Sequence, residues 1–368
     1  MSVKIASSSN PDIFQAIQEV KENIGSSDSC LIIYFSSMIY KQEELAKAMK
    51  EAFSQTDVIG CSTAGELISG KMLNNSVVVM VLDGDSIKDV KVEVIENLKE
   101  NPDPNISFEN FEKYFGQSVS KLDYKKYYGL VLIDGLSNSE EILMERIGTK
   151  TSVHFIGGSA GDDLQFKKTY VYANGKVYSN AAVLVLVKSN TEFDILKTQS
   201  FSALTKSFVA TKVNEEQREV LELDGIDAVE KYASAINKPK EEVPASFMTY
   251  PLGVMIDDEP FVRSPQQLSG NGIKFYCNIA EGTELTLLES KDIVEDTKKA
   301  VQKKLREFGN ISGLINFNCI LRTLELKAKN EEDAYGKIFS DIPTIGFSTY
   351  GEEYIGHINQ TSVMLVLK

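Results

Sequence analysis

A sequence match between two distant segments constrains the fold of this chain more than any other feature. Residues 59–81 align without gaps on residues 345–367, and 9 of the 23 positions are identical, where unrelated segments share roughly one or two. Internal similarity of this kind indicates a duplicated structural unit. The identical pairs are Ile59/Ile345, Gly60/Gly346, Ser62/Ser348, Thr63/Thr349, Gly65/Gly351, Glu66/Glu352, Gly70/Gly356, Ser76/Ser362 and Val77/Val363.

Three segments show the same order of predicted elements, namely residues 28–82, 128–187 and 312–368. In each of them an apolar strand is followed by a helix, a second strand, a glycine-rich loop and a closing strand. The closing strand of the second segment comes late, because residues 169–180 insert a hairpin with an Asn-Gly turn. We therefore expect a mixed α/β (α+β) fold in which pseudo-symmetric strand-helix-strand repeats form mixed sheets.

Residues 213–310 do not follow this pattern and hold five of the nine prolines. A chain of 368 residues is long enough for two domains. We predict an N-terminal domain of residues 1–212, which contains two of the repeats. The predicted C-terminal domain of residues 213–368 contains the divergent segment and the third repeat.

The composition excludes several classes of partner. The 53 acidic residues outnumber the 39 basic residues, which gives a formal net charge of −14, and such a surface repels nucleic acid. The apolar runs are far shorter than the ~20 residues of a membrane helix, so no membrane insertion is expected. The N-terminal residues lack the features of a secretory leader, which favours a cytoplasmic location. The four cysteines are scattered, so neither a disulfide nor a zinc site is predicted.

The three glycine-rich loops, residues 60–66, 156–163 and 346–352, form the candidate ligand-binding site. Backbone N–H groups in such loops can bind a carboxylate or phosphate, and serine and threonine add hydroxyl donors. Alternatively, the glycines only supply positive φ angles for turns, and the glutamates persist for packing or capping. The candidates are Gly60, Ser62, Thr63 and Glu66 in the first loop, Gly158, Ser159 and Asp162 in the second, and Ser348, Thr349, Tyr350 and Glu352 in the third.

Arg263 is a further candidate for ligand binding. It is one of only five arginines and lies in an apolar, strand-like context beside Phe261 and Val262. A guanidinium there could bind a ligand carboxylate through two hydrogen bonds. An internal salt bridge with one of the many carboxylates is an equally good interpretation.

These segments resemble the FIST domain family, whose N-terminal and C-terminal regions usually occur as a pair. The resemblance covers nearly the whole chain beyond a first helix, which the sequence predicts between Asn10 and Gly25. Several blocks in the right order are more specific than any one of them. The segments that carry it are residues 60–66 (GCSTAGE), 154–163 (HFIGGSAGDD), 261–263 (FVR), 281–282 (EG) and 346–352 (GFSTYGE).

The resemblance implies a two-domain FIST-like architecture and a cytoplasmic sensory module of signal transduction that binds a small metabolite such as an amino acid. Some members of that family are fused to kinase, cyclase or chemoreceptor output domains. This chain has no residues left for such a domain, so we expect its signal to pass to a separate protein, such as a histidine kinase, a cyclase or a chemotaxis protein. Neither catalytic residues nor a metal site are predicted.

Two alternatives stay open. Cys61 is the one cysteine in a polar loop, and its thiol could serve an enzyme that acts on a small molecule, although the matching residue in the third loop is Phe347. Some proteins of that family resemble haem-based nitric oxide sensors, and His154 or His357 of this chain could serve as the axial ligand of a haem. An isolated histidine is more often a structural hydrogen-bonding residue.

Overall fold

The computed structural model describes residues 3–26 and 28–368, so Met1, Ser2 and Ser27 lie outside the described residues. This part of the chain combines α-helices with several mixed sheets, which confirms the predicted mixed α/β class. No helix in it combines the length and apolar character needed to cross a membrane. The α-helices are α1 Ile13–Ile24, α2 Gln42–Ala52, α3 Asn105–Phe115, α4 Glu140–Gly148, α5 Ala228–Ile236, α6 Val243–Ser246, α7 Ile293–Phe308, α8 Ile320–Lys329 and α9 Glu332–Lys337.

The strands range from two to fourteen residues in length. They are β1 Val3–Ser8, β2 Ser29–Ser36, β3 Asp57–Ser62, β4 Glu66–Ile68, β5 Lys71–Leu73, β6 Val77–Asp83, β7 Ile87–Glu96, β8 Tyr127–Ile133, β9 Phe155–Ser159, β10 Val171–Ala173, β11 Lys176–Tyr178, β12 Ala181–Ser189, β13 Phe193–Gln199, β14 Phe201–Asn214, β15 Glu219–Leu223, β16 Ile226–Asp227, β17 Leu252–Ile256, β18 Glu259–Arg263, β19 Pro265–Ser269, β20 Gly272–Phe275, β21 Glu284–Ser290, β22 Gly313–Cys319, β23 Thr344–Thr349, β24 Glu352–Glu353, β25 His357–Ile358 and β26 Thr361–Leu367.

Three six-stranded sheets have the same strand arrangement. The first runs β1-β6-β2-β3-β10-β11, the second β7-β12-β8-β9-β24-β25 and the third β13-β26-β22-β23-β4-β5. At the centre of each sheet, two parallel strands lie beside an antiparallel closing strand. The parallel pairs are β2/β3, β8/β9 and β22/β23. A helical crossover connects each parallel pair, as parallel neighbours require, with one helix in the first two sheets and two helices, α8 and α9, in the third.

The hairpin that follows each glycine-rich loop pairs with a strand of a different sheet. Strand β4, after the first loop, lies antiparallel to β23 of the third sheet, with Glu66 opposite Phe347. Strand β10, after the second loop, pairs with β3 of the first sheet. Strand β24, after the third loop, pairs with β9 of the second sheet, with Glu352 opposite Gly158. The exchange is cyclic, so each sheet is completed by another segment's hairpin.

The chain forms two compact units. Unit 1 comprises Met1–Thr198, Thr297–His357 and Ser362–Lys368, and unit 2 comprises Gln199–Asp296 and Ile358–Thr361. This grouping differs from the predicted division after residue 212, because the third predicted repeat lies in unit 1 with the other two. The physical reason is the hairpin exchange, in which backbone hydrogen bonds join β4 to β23 and β24 to β9.

The core of unit 1 lies on both faces of the central strands. Every residue of β8 and β22 is buried, as expected for apolar strands covered on two sides. Helices α1 and α2 cover the first sheet through side chains such as Val20 and Leu45. Between the first and third sheets, the ring of Phe347 lies 4.5 Å from that of Phe35 and 5.9 Å from that of Phe317, measured between centroids.

Unit 2 is built on an eight-stranded sheet. Its order is β18-β17-β21-β14-β15-β20-β19, and β16 pairs with β15. The long strand β14 pairs with both β21 and β15. Helix α5 contributes Tyr232 to a core that also contains Phe247, Phe275 and Leu285.

Candidate functional site

The three glycine-rich loops meet within unit 1 and hydrogen-bond to one another. Each loop is joined to both of the others by backbone hydrogen bonds, so the loops form a closed ring. With the donor named first, the bonds include Ser348 N to Gly65 O at 2.8 Å, Gly161 N to Ser62 O at 2.9 Å and Tyr350 N to Ser159 O at 3.0 Å.

Glycines in the second strand of each repeat allow close approach of the neighbouring backbone. A Cβ atom on Gly60, Gly157 or Gly346 would lie 2.1, 1.6 or 2.2 Å from a carbonyl oxygen of the adjacent parallel strand. A Cβ atom on Gly351 would lie 2.0 Å from an imidazole carbon. Of the glycines that the turn interpretation covers, Gly65 has a positive φ of 127°. The other three are required by packing, so that interpretation is wrong for Gly60, Gly346 and Gly351.

The first and third loops contain the same buried Thr-Glu pair. Thr63 Oγ1 donates a hydrogen bond to Glu66 Oε1, and Thr349 Oγ1 donates one to Glu352 Oε1. The two glutamates are only 1% and 0% exposed. The second oxygen of Glu66 accepts hydrogen bonds from Ser76 N at 3.2 Å and Ser76 Oγ at 2.6 Å. Since a carboxylate has about four acceptor positions, Glu66 can accept one more donor.

Burial makes Glu66 titrate near neutral pH. Burial raises the pKa of its carboxyl group to about 7, and the hydrogen bonds from Ser76 and Thr63 only partly offset this effect. The negative charge of Asp163 raises the pKa further. A carboxyl group in this state is stabilised in its ionised form by a nearby cation.

A buried ion pair between Glu353 and His357 follows the third loop, and a hydrogen bond joins it to Ser159 of the second loop. Ser159 Oγ donates to Glu353 Oε1 at 3.1 Å, and His357 Nδ1 lies 3.0 Å from the same oxygen. Burial lowers the pKa of His357, but the charge and hydrogen bond of Glu353 outweigh burial and raise it to about 9. The imidazole is therefore protonated at neutral pH. Within the described residues, the other oxygen of Glu353 is buried without a hydrogen-bond partner.

Asp162 and Tyr350 hold the end of the second loop. Tyr350 Oη donates to Asp162 Oδ1 at 2.5 Å and accepts from Leu164 N at 2.9 Å. The carboxylate of Asp162 also accepts hydrogen bonds from the backbone amides of residues 166–168. The half-exposed ring of Phe166 stacks on Tyr350, with 4.9 Å between centroids. These contacts fix residues 162–168 and present an aromatic pair beside the loops.

The remaining predicted loop residues are buried and bonded within unit 1. Ser62 Oγ donates to Gly161 O at 2.7 Å, and Ser348 Oγ lies 2.8 Å from Thr323 Oγ1. A Cβ atom on Gly158 would lie 2.5 Å from Thr349 Cγ2. Since the loop amides named above already donate to neighbouring loops, an anion reaches them only by replacing loop-loop hydrogen bonds. Hydroxyl and carboxylate side chains are thus the principal chemistry of this region.

Arg263 belongs to unit 2 and not to the unit that contains the loops. It is the last residue of β18, opposite Leu252 of β17. Its Nη1 donates to the carbonyl oxygens of Phe261 and Val262 at 3.5 and 3.2 Å. The guanidinium is therefore bonded to its own strand.

Of the residues that carry the two alternatives, Cys61 lies in the core and His154 at the surface. Cys61 is fully buried, and burial, with a smaller effect of the charge of Glu66, raises the pKa of its thiol well above the usual value, which disfavours the nucleophilic thiolate. His154 is exposed and lies beside the rings of Tyr124 and Tyr354. In the part of the chain that the structure describes, no group of three or more His, Cys, Asp or Glu side chains is placed to hold a metal ion.

Two residues of this region, Glu353 and Arg322, were not predicted from the sequence. Glu353 directly follows the repeated Glu352 in the sequence. The feature that marks it out is its ion-pair partner His357. Arg322 is 2% exposed and lies in the first turn of α8. Arg322 is one of only five arginines and comes three residues after the end of the buried strand β22, and this was the signal that could have identified it.

Comparison with known proteins places the chain in a family. The FIST N domain model matches residues 30–226 and the FIST C domain model matches residues 228–354. The chain belongs to the FIST family, whose domains are sensors of signal transduction. It is also 26% identical over 321 residues to an uncharacterised protein of Methanocaldococcus jannaschii, with 81% of this chain and 61% of that relative covered. The chain thus spans about three fifths of that relative's length.

Proposed function

We propose that this chain is a cytoplasmic sensory module that binds a small metabolite, such as an amino acid, through the three glycine-rich loops of unit 1. The observation that carries the proposal is the repeated Thr-Glu pair, Thr63 with Glu66 and Thr349 with Glu352, buried where the three loops meet. Buried carboxyl groups are costly to retain for packing alone, whereas they suit recognition of a ligand cation.

The chemistry of the region favours a ligand that carries an ammonium group. Glu66 retains one free acceptor position and has a pKa of about 7, so an ammonium beside it would both complete its hydrogen bonds and stabilise its negative charge. The hydroxyl groups of Ser62, Thr63 and Thr349 supply further polar contacts. An amino acid meets these requirements with a small volume.

Ligand binding is coupled to the arrangement of the sheets. The loops are buried and bonded to one another, so a ligand that enters them exchanges loop-loop hydrogen bonds for its own. Each loop continues into a hairpin that pairs with a different sheet. This change of hydrogen bonds therefore shifts the relative packing of the three sheets, as a sensor requires. A separate protein, such as a histidine kinase, a cyclase or a chemotaxis protein, reads this change.

Thermal melting against a panel of amino acids and related metabolites tests the proposal. A ligand that binds only the folded state adds about 2.7 kcal/mol of stability at one hundred times its Kd, so the melting temperature of the wild-type protein is expected to rise by several degrees with at least one amino acid. Glu352→Gln is expected to abolish the rise, because it removes a carboxylate from the third loop.

Glu112→Gln is the matched control. Glu112 lies on α3 and, like Glu66, accepts hydrogen bonds from a serine hydroxyl and a backbone amide, here from Ser118 and Val119. This variant is expected to keep the full ligand response. If no compound of the panel raises the melting temperature, or if Glu352→Gln leaves the rise unchanged, these loops are not the site.

The two alternative functions have less support than ligand sensing. The thiol of Cys61 is buried, which disfavours catalysis, and His357 is ion-paired, which disfavours haem binding.

A further inference from the structure

Among the residues that the structure describes, the buried cation Arg322 has no anionic partner. It lies in the first turn of α8, and its side chain is among the largest fully buried ones in the described chain. Nε donates to Asn318 Oδ1 and Nη2 donates to Thr297 Oγ1, both at 2.9 Å. The guanidinium carbon lies 5.8 Å from the centre of the Tyr335 ring. Its hydrogen-bond acceptors are therefore neutral oxygens.

The third nitrogen of this guanidinium has no acceptor. Nη1 is buried and forms no hydrogen bond among the described residues. Arginine stays protonated in proteins, and a buried charge is strongly destabilising unless a counter-charge or hydrogen bonds compensate it. The arrangement leaves a fixed positive charge and an unused N–H donor, a combination that an anion would satisfy.

The start of α8 adds a second attraction for an anion at the same place. The helix begins directly after β22. The N-terminus of a helix carries a partial positive charge and presents backbone N–H groups. Thr323 of the same turn contacts Ser348 of the third loop, 2.8 Å between hydroxyl oxygens, so this region adjoins the candidate ligand site.

We propose that Arg322 binds the carboxylate of a small organic acid. This inference deepens the proposed function, on which it rests, and assigns Arg322 to the carboxylate of an amino-acid ligand and the glutamates to its ammonium. A planar carboxylate matches the fork of one guanidinium. Because Arg322 is enclosed, with only 2% of it exposed, the acid is small, and neighbouring side chains move to admit it.

Melting of the full-length protein in acetate, acetamide, glycine and inorganic phosphate, at matched ionic strength with chloride as reference, tests this assignment. Acetate and glycine are expected to raise the melting temperature of the wild-type protein, whereas the neutral isostere acetamide leaves it unchanged. In Arg322→Gln, calorimetry is expected to show at least about tenfold weaker binding of glycine, since a charge-assisted hydrogen bond is lost. Arg306→Gln, which alters an exposed arginine of α7, is expected to behave as wild type.

Several results would overturn the assignment. An equal response of Arg322→Gln and Arg306→Gln, stabilisation by acetamide as large as by acetate, or a response to phosphate alone would each do so. The comparison of acetate with acetamide uses wild-type protein and does not depend on whether Arg322→Gln folds. A metabolite that binds wild type and Arg322→Gln equally would remove Arg322 from the site and leave the sensory function intact.

Discussion

At the scale of single residues, the buried carboxyl group of Glu66 makes stability depend on pH. Its folded-state pKa of about 7 lies above the ordinary value of 4.5. Between these two values the folded state binds the proton more tightly than the unfolded state, so the free energy of unfolding falls as pH rises. The loss is on the order of 3 kcal/mol across this window.

Glu66→Gln is expected to remove this loss, because the amide does not titrate. Urea unfolding at about pH 5 and about pH 8 measures the difference for wild type, Glu66→Gln and the control Glu112→Gln. The control is expected to retain the wild-type decrease with pH. If Glu66→Gln lost as much stability as wild type over this range, Glu66 would not be the titrating group.

The ion pair between His357 and Glu353 gives a second prediction at this scale. His357→Gln leaves the carboxylate of Glu353 buried without its counter-charge, which is expected to cost about 3–5 kcal/mol of unfolding free energy. The pKa of His357 in the folded state, about 9, exceeds the ordinary value of 6.5. The stabilisation by the ion pair is therefore complete below pH 6.5 and is lost as the pH rises through 9. Denaturant unfolding measures both effects. The double variant His357→Gln/Glu353→Gln is expected to recover most of the loss. A double variant as unstable as His357→Gln would contradict a charge effect.

The sequence indicated some of these residues and not others for a physical reason. Thr63 and Glu66 recur in the third loop as Thr349 and Glu352, and recurrence is visible in one sequence. Burial of a lone cation is not visible in one sequence, because it depends on which helix and strand cover the cation. Arg322 was therefore not predicted. Arg263 was predicted from its apolar context, but its guanidinium is hydrogen-bonded to its own strand.

At the scale of elements, the spacing of the parallel strands depends on glycine. Gly157→Ala would place a Cβ atom 1.6 Å from Val131 O on the adjacent strand. The strands must separate, which is expected to cost at least about 1–3 kcal/mol. The control Gly148→Ala lies at the end of α4 with nothing within 4 Å and is expected to be neutral or slightly stabilising. Thermal melting that showed equal stabilities for the two variants would contradict this role of Gly157.

Local elements were predictable, but their partners were not. The Asn174-Gly175 turn forms the predicted hairpin β10–β11, and both residues have positive φ. The choice of sheet for that hairpin depends on contacts between distant segments, which a local pattern does not contain. The same limit explains why the predicted domain division followed chain order whereas unit 1 combines both ends of the chain.

At the scale of the whole molecule, the hairpin exchange makes the two halves of the chain interdependent. A fragment of residues 1–212 lacks β22, β23 and β24, so β4 and β9 lose strand partners. The fragment alone is expected to lack a cooperative thermal transition, and co-expression with residues 213–368 is expected to restore one. A fragment 1–212 that melts cooperatively, with a dispersed amide NMR spectrum, would contradict this interdependence.

The most direct test of ligand sensing is calorimetric titration of an amino acid into the full-length protein at neutral pH, in two buffers that differ in ionisation enthalpy. The proposed site predicts binding with release of protons, because an ammonium beside Glu66 lowers the pKa of a carboxyl group that is partly protonated at this pH. Glu66→Gln is expected to lose the buffer dependence. Absence of heat with every amino acid, or identical proton release by wild type and Glu66→Gln, would contradict it.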